Sequence, residues 1–130
     1  MTLIDTSSWI EFFRKQGKAD VKSRIASFIE LEMAAYTCPV LFELLSGASE
    51  KETADIKNVF SFCQRINFCP EHWEYASVLK TLCRQKGLTI PNDDIFVCAV
   101  ALKNNLKLYH LDRHFDLFLE KTKLPIKLEE

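Results

Sequence analysis

Leu3-Ile4-Asp5-Thr6-Ser7-Ser8-Trp9-Ile10 is the stretch on which the fold turns. The apolar residues before Asp5 read as a short buried strand that ends in a carboxylate. A helix is expected to start at once, with Ser8 and Glu11 spaced as a capping box. A charge at the exit of a buried strand costs free energy unless it is paired or bound to a cation. Three other acids, Glu43, Asp94 and Asp112, border apolar runs in the same way.

Working outward, short apolar strands alternate with amphipathic helices. Ser8 to Gln16 reads as the first helix, with Gly17 as its stop. Asp20 is expected to cap a second, whose apolar face is Val21, Ile25, Phe28 and Ile29. Ala34 to Cys38 reads as a strand, and Pro39 suits the first turn of a third helix that carries Glu43. Ser49 to Cys63 reads as helix, Arg65 to Phe68 as a weak strand. Glu71 to Lys86 reads as a helix with Trp73, Ala76, Leu79 and Cys83 inward and Gly87 as its C-cap. Asn92 is expected to cap a helix, Ile95 to Leu102, that is apolar on most faces and so buried between layers. Leu106 to Leu111 reads as a strand ending just before Asp112, and Pro125 to Leu128 as an edge strand. This alternation predicts an α/β fold, a three-layer α/β/α sandwich around a mainly parallel sheet. Ligands in such sheets bind beyond the carboxyl ends of the strands. Asp5 and Asp112 would both lie there.

Composition sets bounds on the rest. The 130 residues suit one domain, 1–130, and an apolar share of 48% is ample for its core. No apolar run is long enough for a bilayer, and no signal layout opens the chain, so a cytoplasmic protein is expected. Five cysteines, none in a C-x-x-C pair, argue against a disulfide framework or a zinc site. With 17 basic against 18 acidic side chains, overall charge gives no footprint for nucleic acid, although a local basic rim can coexist with an acidic pocket.

The acids carry the chemistry. Two carboxylates about 4 Å apart repel by roughly 4 kcal/mol at an effective dielectric of 20. If Asp5, Glu43, Asp94 and Asp112 converge, they must hold protons or bind a hard cation. Oxygen-only ligation selects Mg²⁺ or Mn²⁺ over zinc. Each acid also has a structural reading: Asp5 as a helix cap, Asp94 serving its helix dipole, Asp112 in a turn, Glu43 paired with a buried arginine.

The chain resembles PIN-domain ribonucleases of the VapC toxin type. The matching stretches are Leu3 to Ile10, Phe42-Glu43-Leu44-Leu45-Ser46-Gly47, Ile90 to Leu102, and Leu111-Asp112-Arg113-His114-Phe115. The resemblance implies a metal-dependent endoribonuclease, the toxin of a type II toxin–antitoxin pair, that cuts RNA at an acidic Mg²⁺ site with Mn²⁺ as a possible substitute. Its acid quartet maps onto Asp5, Glu43, Asp94 and Asp112. It further implies a small cognate antitoxin as partner and a homodimer. Thr6 matches the family's hydroxyl after the first Asp, and either orients a carboxylate or caps the first helix. Asp93 is expected to assist Asp94 through a water. His110 stands where the family usually has Thr or Ser, which alters the hydrogen bonding expected around Asp112. His110 and His114 are assigned structural or peripheral roles, for want of a reactive partner at suitable spacing.

Trp9, Ile10, Phe12 and Phe13 are more apolar than one helix face requires, which suggests core packing plus a partner surface. Arg14, Lys15, Lys18, Lys22 and Arg24 read as a solvated face or an RNA rim. Two rival functions stay open. One is a metal-binding but inactive PIN-like module acting by protein contact. The other is a Mg²⁺ phosphatase of the haloacid dehalogenase kind, disfavoured because Ser7 stands where that chemistry wants a second Asp.

Overall fold

Consecutive residues of a strand point to opposite faces of a sheet, and both Leu3 and Ile4 are fully buried. The sheet is therefore covered on both sides, as parallel sheets require. The computed structural model describes residues 1–129. The elements in order are β1 Thr2–Ile4, α1 Thr6–Phe13, α2 Ala19–Glu30, β2 Ala34–Thr37, α3 Cys38–Ser46, α4 Glu50–Phe60 and β3 Gln64–Ile66. There follow α5 Pro70–Gln85, α6 Asn92–Lys103, β4 Lys107–Tyr109, α7 Arg113–Thr122 and β5 Lys127–Leu128. The five strands lie in the order β3-β2-β1-β4-β5, every pair parallel, with the helices around them as an α/β/α sandwich.

That order decides where a ligand belongs. The chain moves outward from β1 through β2 to β3, then returns to the other side of β1 for β4. The direction reverses between β1 and β4, and a crevice opens at the carboxyl ends of those two strands. Leu3 pairs with Leu108 and Ile4 with Tyr109. Asp5 then extends the register by donating its N–H to the Tyr109 carbonyl at 3.2 Å.

The core forms where the pattern is most apolar. In α6, Ile95 and Val97 to Ala101 are all buried, and a helix apolar on this many sides fits only between layers. Trp9 is fully buried and meets Phe60 at 4.7 Å between ring centroids and Phe13 at 5.8 Å. Gly17 closes the turn after α1. A Cβ there would stand 1.8 Å from the Glu11 carbonyl oxygen, so only glycine fits.

Several expectations need correction. The first helix begins at Thr6, capped by Asp5, and ends at Phe13. No capping box forms between Ser8 and Glu11, because Ser8 is buried with its hydroxyl on Asp5. Asp20 lies inside the first turn of α2, where it favours the dipole but does not cap, and Lys18 takes the cap position. Pro91 rather than Asn92 occupies the N-cap of α6. Trp73 does not point inward; it is 55% exposed. The buried place beside it belongs to His72, whose Nδ1 accepts the Cys69 N–H at 2.9 Å. Helix α7 was not anticipated, although Phe115 and Phe118 carry a helical spacing and are both buried.

Trp9→Ala should cost about 3–5 kcal/mol through transfer loss and a residual cavity. Ile10→Ala, on the open side of the same helix, should cost less than about 1 kcal/mol. Urea midpoints of the two variants, compared with the parent, measure this difference.

Candidate active site

Asp5 is only 3% exposed, so its charge must be held by local donors. One oxygen accepts the Ser8 hydroxyl at 2.9 Å and the Ser8 N–H at 3.2 Å; the other accepts the Ser7 hydroxyl at 2.7 Å. All three donors come from the first turn of α1, whose positive end faces the carboxylate. Burial nonetheless raises the Asp5 pKa, with the Ser7 and Ser8 bonds opposing it. The Ser7 hydroxyl also accepts the Leu111 N–H at 3.2 Å. One side chain thus ties the exit of β1 to the exit of β4.

Glu43 stands on α3 and takes the Thr6 hydroxyl at 2.7 Å. Thr6 therefore orients a carboxylate and does not cap α1, and no arginine pairs with Glu43 among the described residues. Burial pushes the Glu43 pKa up to about 7, with Thr6 opposing and the charges of Asp93 and Asp94 adding to the rise. Asp94, in the first turn of α6, is raised to about 6 by burial and by the charge of Asp112, with a smaller push from Asp5. Asp93 is exposed and lies beside Glu43.

Asp112 caps α7 by accepting the His114 N–H at 3.0 Å. Turning the first residues of α7 in this way brings the His114 ring back over the acids. Its Nδ1 lies 3.0 Å from an oxygen of Asp94 and 3.0 Å from an oxygen of Asp112. Both partners are carboxylates, so Nδ1 carries the proton between them. One donor atom from each of Asp94, Asp112 and His114 lies within 4.8 Å of the others. His114 thus bridges Asp94 and Asp112, a structural role of the kind the sequence reading gave it. The available signal was its place two residues after a helix-capping Asp. His110 turns away from Asp112, toward Asp116 at 3.4 Å and the Phe115 ring at 4.9 Å. The hydroxyl expected two residues before Asp112 is not needed, because Ser7 and the His114 N–H secure that turn instead.

The donor set fits a divalent cation. Oxygens of Asp94 and Asp112 come together at His114; Asp5 and Glu43 are not part of that close group, and among the described residues no Lys or Arg forms a salt bridge with Asp5, Glu43, Asp94 or Asp112. The raised pKa values of Asp94 and Glu43 reflect burial first and neighbouring carboxylates after it.

Next to Glu43 runs a groove lined by Thr6, Ile10, Phe13, Leu44 and Ile56. The surplus apolar residues of α1 divide accordingly. Trp9 is core, Ile10 is 46% exposed, and Phe12 and Phe13 are half-buried.

Residues 2–118 match the PIN domain family, and the chain belongs to it. It is similar to Ribonuclease VapC11 of Mycobacterium tuberculosis, 29% identical over 128 residues that cover 95% of this chain and 96% of the relative. Its fold is similar to that in the DNA-bound VapBC structure from Salmonella typhimurium. There the TM-score is 0.80 at 16% identity, covering 98% of this chain and 96% of that one. It is also similar to VapBC2 from Rickettsia felis bound to a promoter DNA fragment, with a TM-score of 0.79, 21% identity, and 98% and 96% of the two chains covered. None of the described helices is long and apolar enough to cross a membrane.

Asp94 and Glu43 sit at about 6 and about 7 in the fold, against ordinary values of 3.8 and 4.5. Over that interval the folded chain binds more protons than the unfolded one, so the contribution of these acids to stability falls as pH rises. In EDTA, Tm should drop between about pH 5 and about pH 8, and less steeply in Asp94→Asn. A hard divalent cation should raise Tm more at the upper pH than at the lower. Thermal melts of both proteins across this range check the sign.

Proposed function

We propose that this chain, as a single PIN-like unit over residues 1–130, is a divalent-cation-dependent endoribonuclease. Mg²⁺ is the working ion and Mn²⁺ a substitute. The observation that supports the reading is the approach of Asp94, Asp112 and His114 donor atoms to within 4.8 Å of one another, with no Lys or Arg among the described residues paired to these acids. Asp5, Asp94 and Asp112 are the metal-holding oxygens, with Glu43 completing the set and Thr6 and Asp93 in support. The name of the VapC11 relative supports RNA as substrate, and the VapBC neighbours support the role of toxin in a toxin–antitoxin pair.

Asp5, Asp94, Asp112 and Glu43 would hold the cation, which would supply charge neutralisation at the scissile phosphate and a lowered pKa for a water, so that hydroxide would be available near neutral pH. The chain supplies the remainder. Glu43, held by the Thr6 hydroxyl at 2.7 Å, would add a carboxylate oxygen to the metal-holding set. The Thr6 hydroxyl fixes which Glu43 oxygen stays free. The His114 Nδ1–H holds Asp94 and Asp112 together and offsets part of their repulsion. A side-chain nucleophile is not required.

The partner reading extends this. A small cognate antitoxin would lay an apolar segment along the groove of Ile10, Phe13, Leu44 and Ile56, and present an Arg or Lys to the acids. The toxin is proposed to work in the cytoplasm as a homodimer.

Incubation with single-stranded RNA should give cleavage with Mg²⁺ and none with EDTA. Phosphate release from a simple phosphomonoester, without RNA cleavage, would favour the phosphatase reading; neither activity would favour the inactive module. Glu43→Gln should lower kcat by about a hundredfold or more. Asp5→Asn should abolish cleavage with the fold retained. Thr6→Val should cost about tenfold, the loss of one hydrogen bond to a charged group. Circular dichroism of each variant separates lost chemistry from lost fold. Binding of Mg²⁺ and of the antitoxin should weaken each other reciprocally, which calorimetric titration of one against saturating amounts of the other reads directly.

A further inference from the structure

Helix α6 carries Asp94, so the way that helix begins decides where the carboxylate stands. The helices that follow Asp5, Ser49 and Asp112 each take a hydrogen bond from that capping side chain. Helix α6 has no such cap: Pro91 holds its N-cap position and has no polar side chain to offer. The Pro91 carbonyl closes the first turn, accepting the Asp94 and Ile95 N–H groups at 3.1 Å each.

The residue before Pro91 is fixed from another helix. Ile90 is buried, and its carbonyl accepts a hydrogen bond from Nζ of Lys80 on α5. Among the described residues no carboxylate forms a salt bridge with Lys80, so the ammonium is free to serve this carbonyl. The connection between the two helices is closed at its other end by Gly87, whose φ of 72° lets the Leu88 N–H return to the Cys83 carbonyl at 2.8 Å. The far end of α6 is tied to α5 as well: Asn104, its C-cap, lies 3.1 Å from Nε2 of the buried His72. Helix α6 is thus held at both ends by one neighbour, with Lys80 at the end that carries Asp94.

We propose that Lys80 is a positioning residue for metal binding: its bond to the Ile90 carbonyl sets the first turn of α6 so that Asp94 meets Asp112 and His114. The inference rests on the metal reading above. A buried carbonyl stripped of its donor must find another, and water is the available one. Turning toward water rotates the Ile90–Pro91 peptide, and with it the Pro91 carbonyl to which the Asp94 N–H is bonded. The Asp94 oxygen that lies 3.0 Å from Nδ1 of His114 then moves out of the group of donors a cation must span. A charged donor makes a stronger bond than a neutral one. Because the ammonium faces a carbonyl and not a carboxylate, it orders Asp94 without neutralising it.

The test is Mn²⁺ binding by calorimetric titration of the unmodified protein, Lys80→Met, Lys80→Arg and, as a control, Lys51→Met at an exposed position of α4. Lys80→Met should weaken the Kd by about tenfold to a hundredfold, the usual loss when a group that orients a metal ligand is removed. Lys80→Arg keeps a charged donor and should stay within about threefold of the parent, as should Lys51→Met. In turnover, the Mg²⁺ concentration for half-maximal rate should rise while the KM for RNA at saturating Mg²⁺ holds. A metal-free measurement accompanies these: amide hydrogen exchange at Asp94 and Ile95 should quicken about tenfold in Lys80→Met, with the amides of β1 and β4 unchanged. A lower Tm with parental Mn²⁺ affinity would make Lys80 a structural lysine only and overturn the proposal. Unchanged exchange at the start of α6 would overturn it too. A parent protein that binds no Mn²⁺ would instead refute the metal reading, and the exchange rates alone would then decide whether Lys80 sets the turn.

Discussion

A buried carboxylate without a cationic partner can persist only if fixed dipoles hold it, and Asp5 draws those dipoles from the turn that follows it. The hydroxyls of Ser7 and Ser8 and the N–H of Ser8 all converge on its two oxygens. This arrangement needs a helix to begin immediately after β1, which is why the strand is so short. It also needs Ser7 to serve two masters, since the same hydroxyl fixes the turn after β4. The geometry of the acids follows from this knot. Asp112 is delivered by that turn, and α7 is capped by it.

Around Asp5 the site is held under tension by like charges. Asp94 and Glu43 are each pushed upward by burial first and by neighbouring carboxylates after it. His114 and Thr6 relieve this by one donor each. Hydroxyls and an imidazole can orient acids without neutralising them permanently. A lysine in the same place would neutralise the acids and leave less work for a metal ion.

Much of this arrangement was legible in the sequence, for identifiable reasons. The α/β/α layering followed from short apolar strands alternating with helices, and from the all-round apolarity of α6. The four acids stood out because each adjoined a buried run. What escaped notice depended on direction rather than pattern. Whether Asp5 or Ser8 capped α1 turned on which side chain the strand exit faced. Trp73 and His72 are adjacent, and a shift of one position around α5 exchanged their burial. His114 lacked a sequence partner because its partners, Asp94 and Asp112, reach it from the start of α6 and from its own helix cap. Helix α7 has only Phe115 and Phe118 as buried apolar markers in an otherwise mixed segment, so its pattern is weak.

The strand order β3-β2-β1-β4-β5 has a further consequence, for the timing of synthesis. β1 is made well before one of its two hydrogen-bonded neighbours, β4, with helices α1 to α6 and strands β2 and β3 in between. Asp5 therefore waits for all of these segments before Asp112 and His114 join it. A nascent or prematurely terminated chain holds its earliest acids without the later ones that complete the constellation. The topology thus spreads the acids over segments far apart in synthesis, so that no early stretch of the chain holds them all.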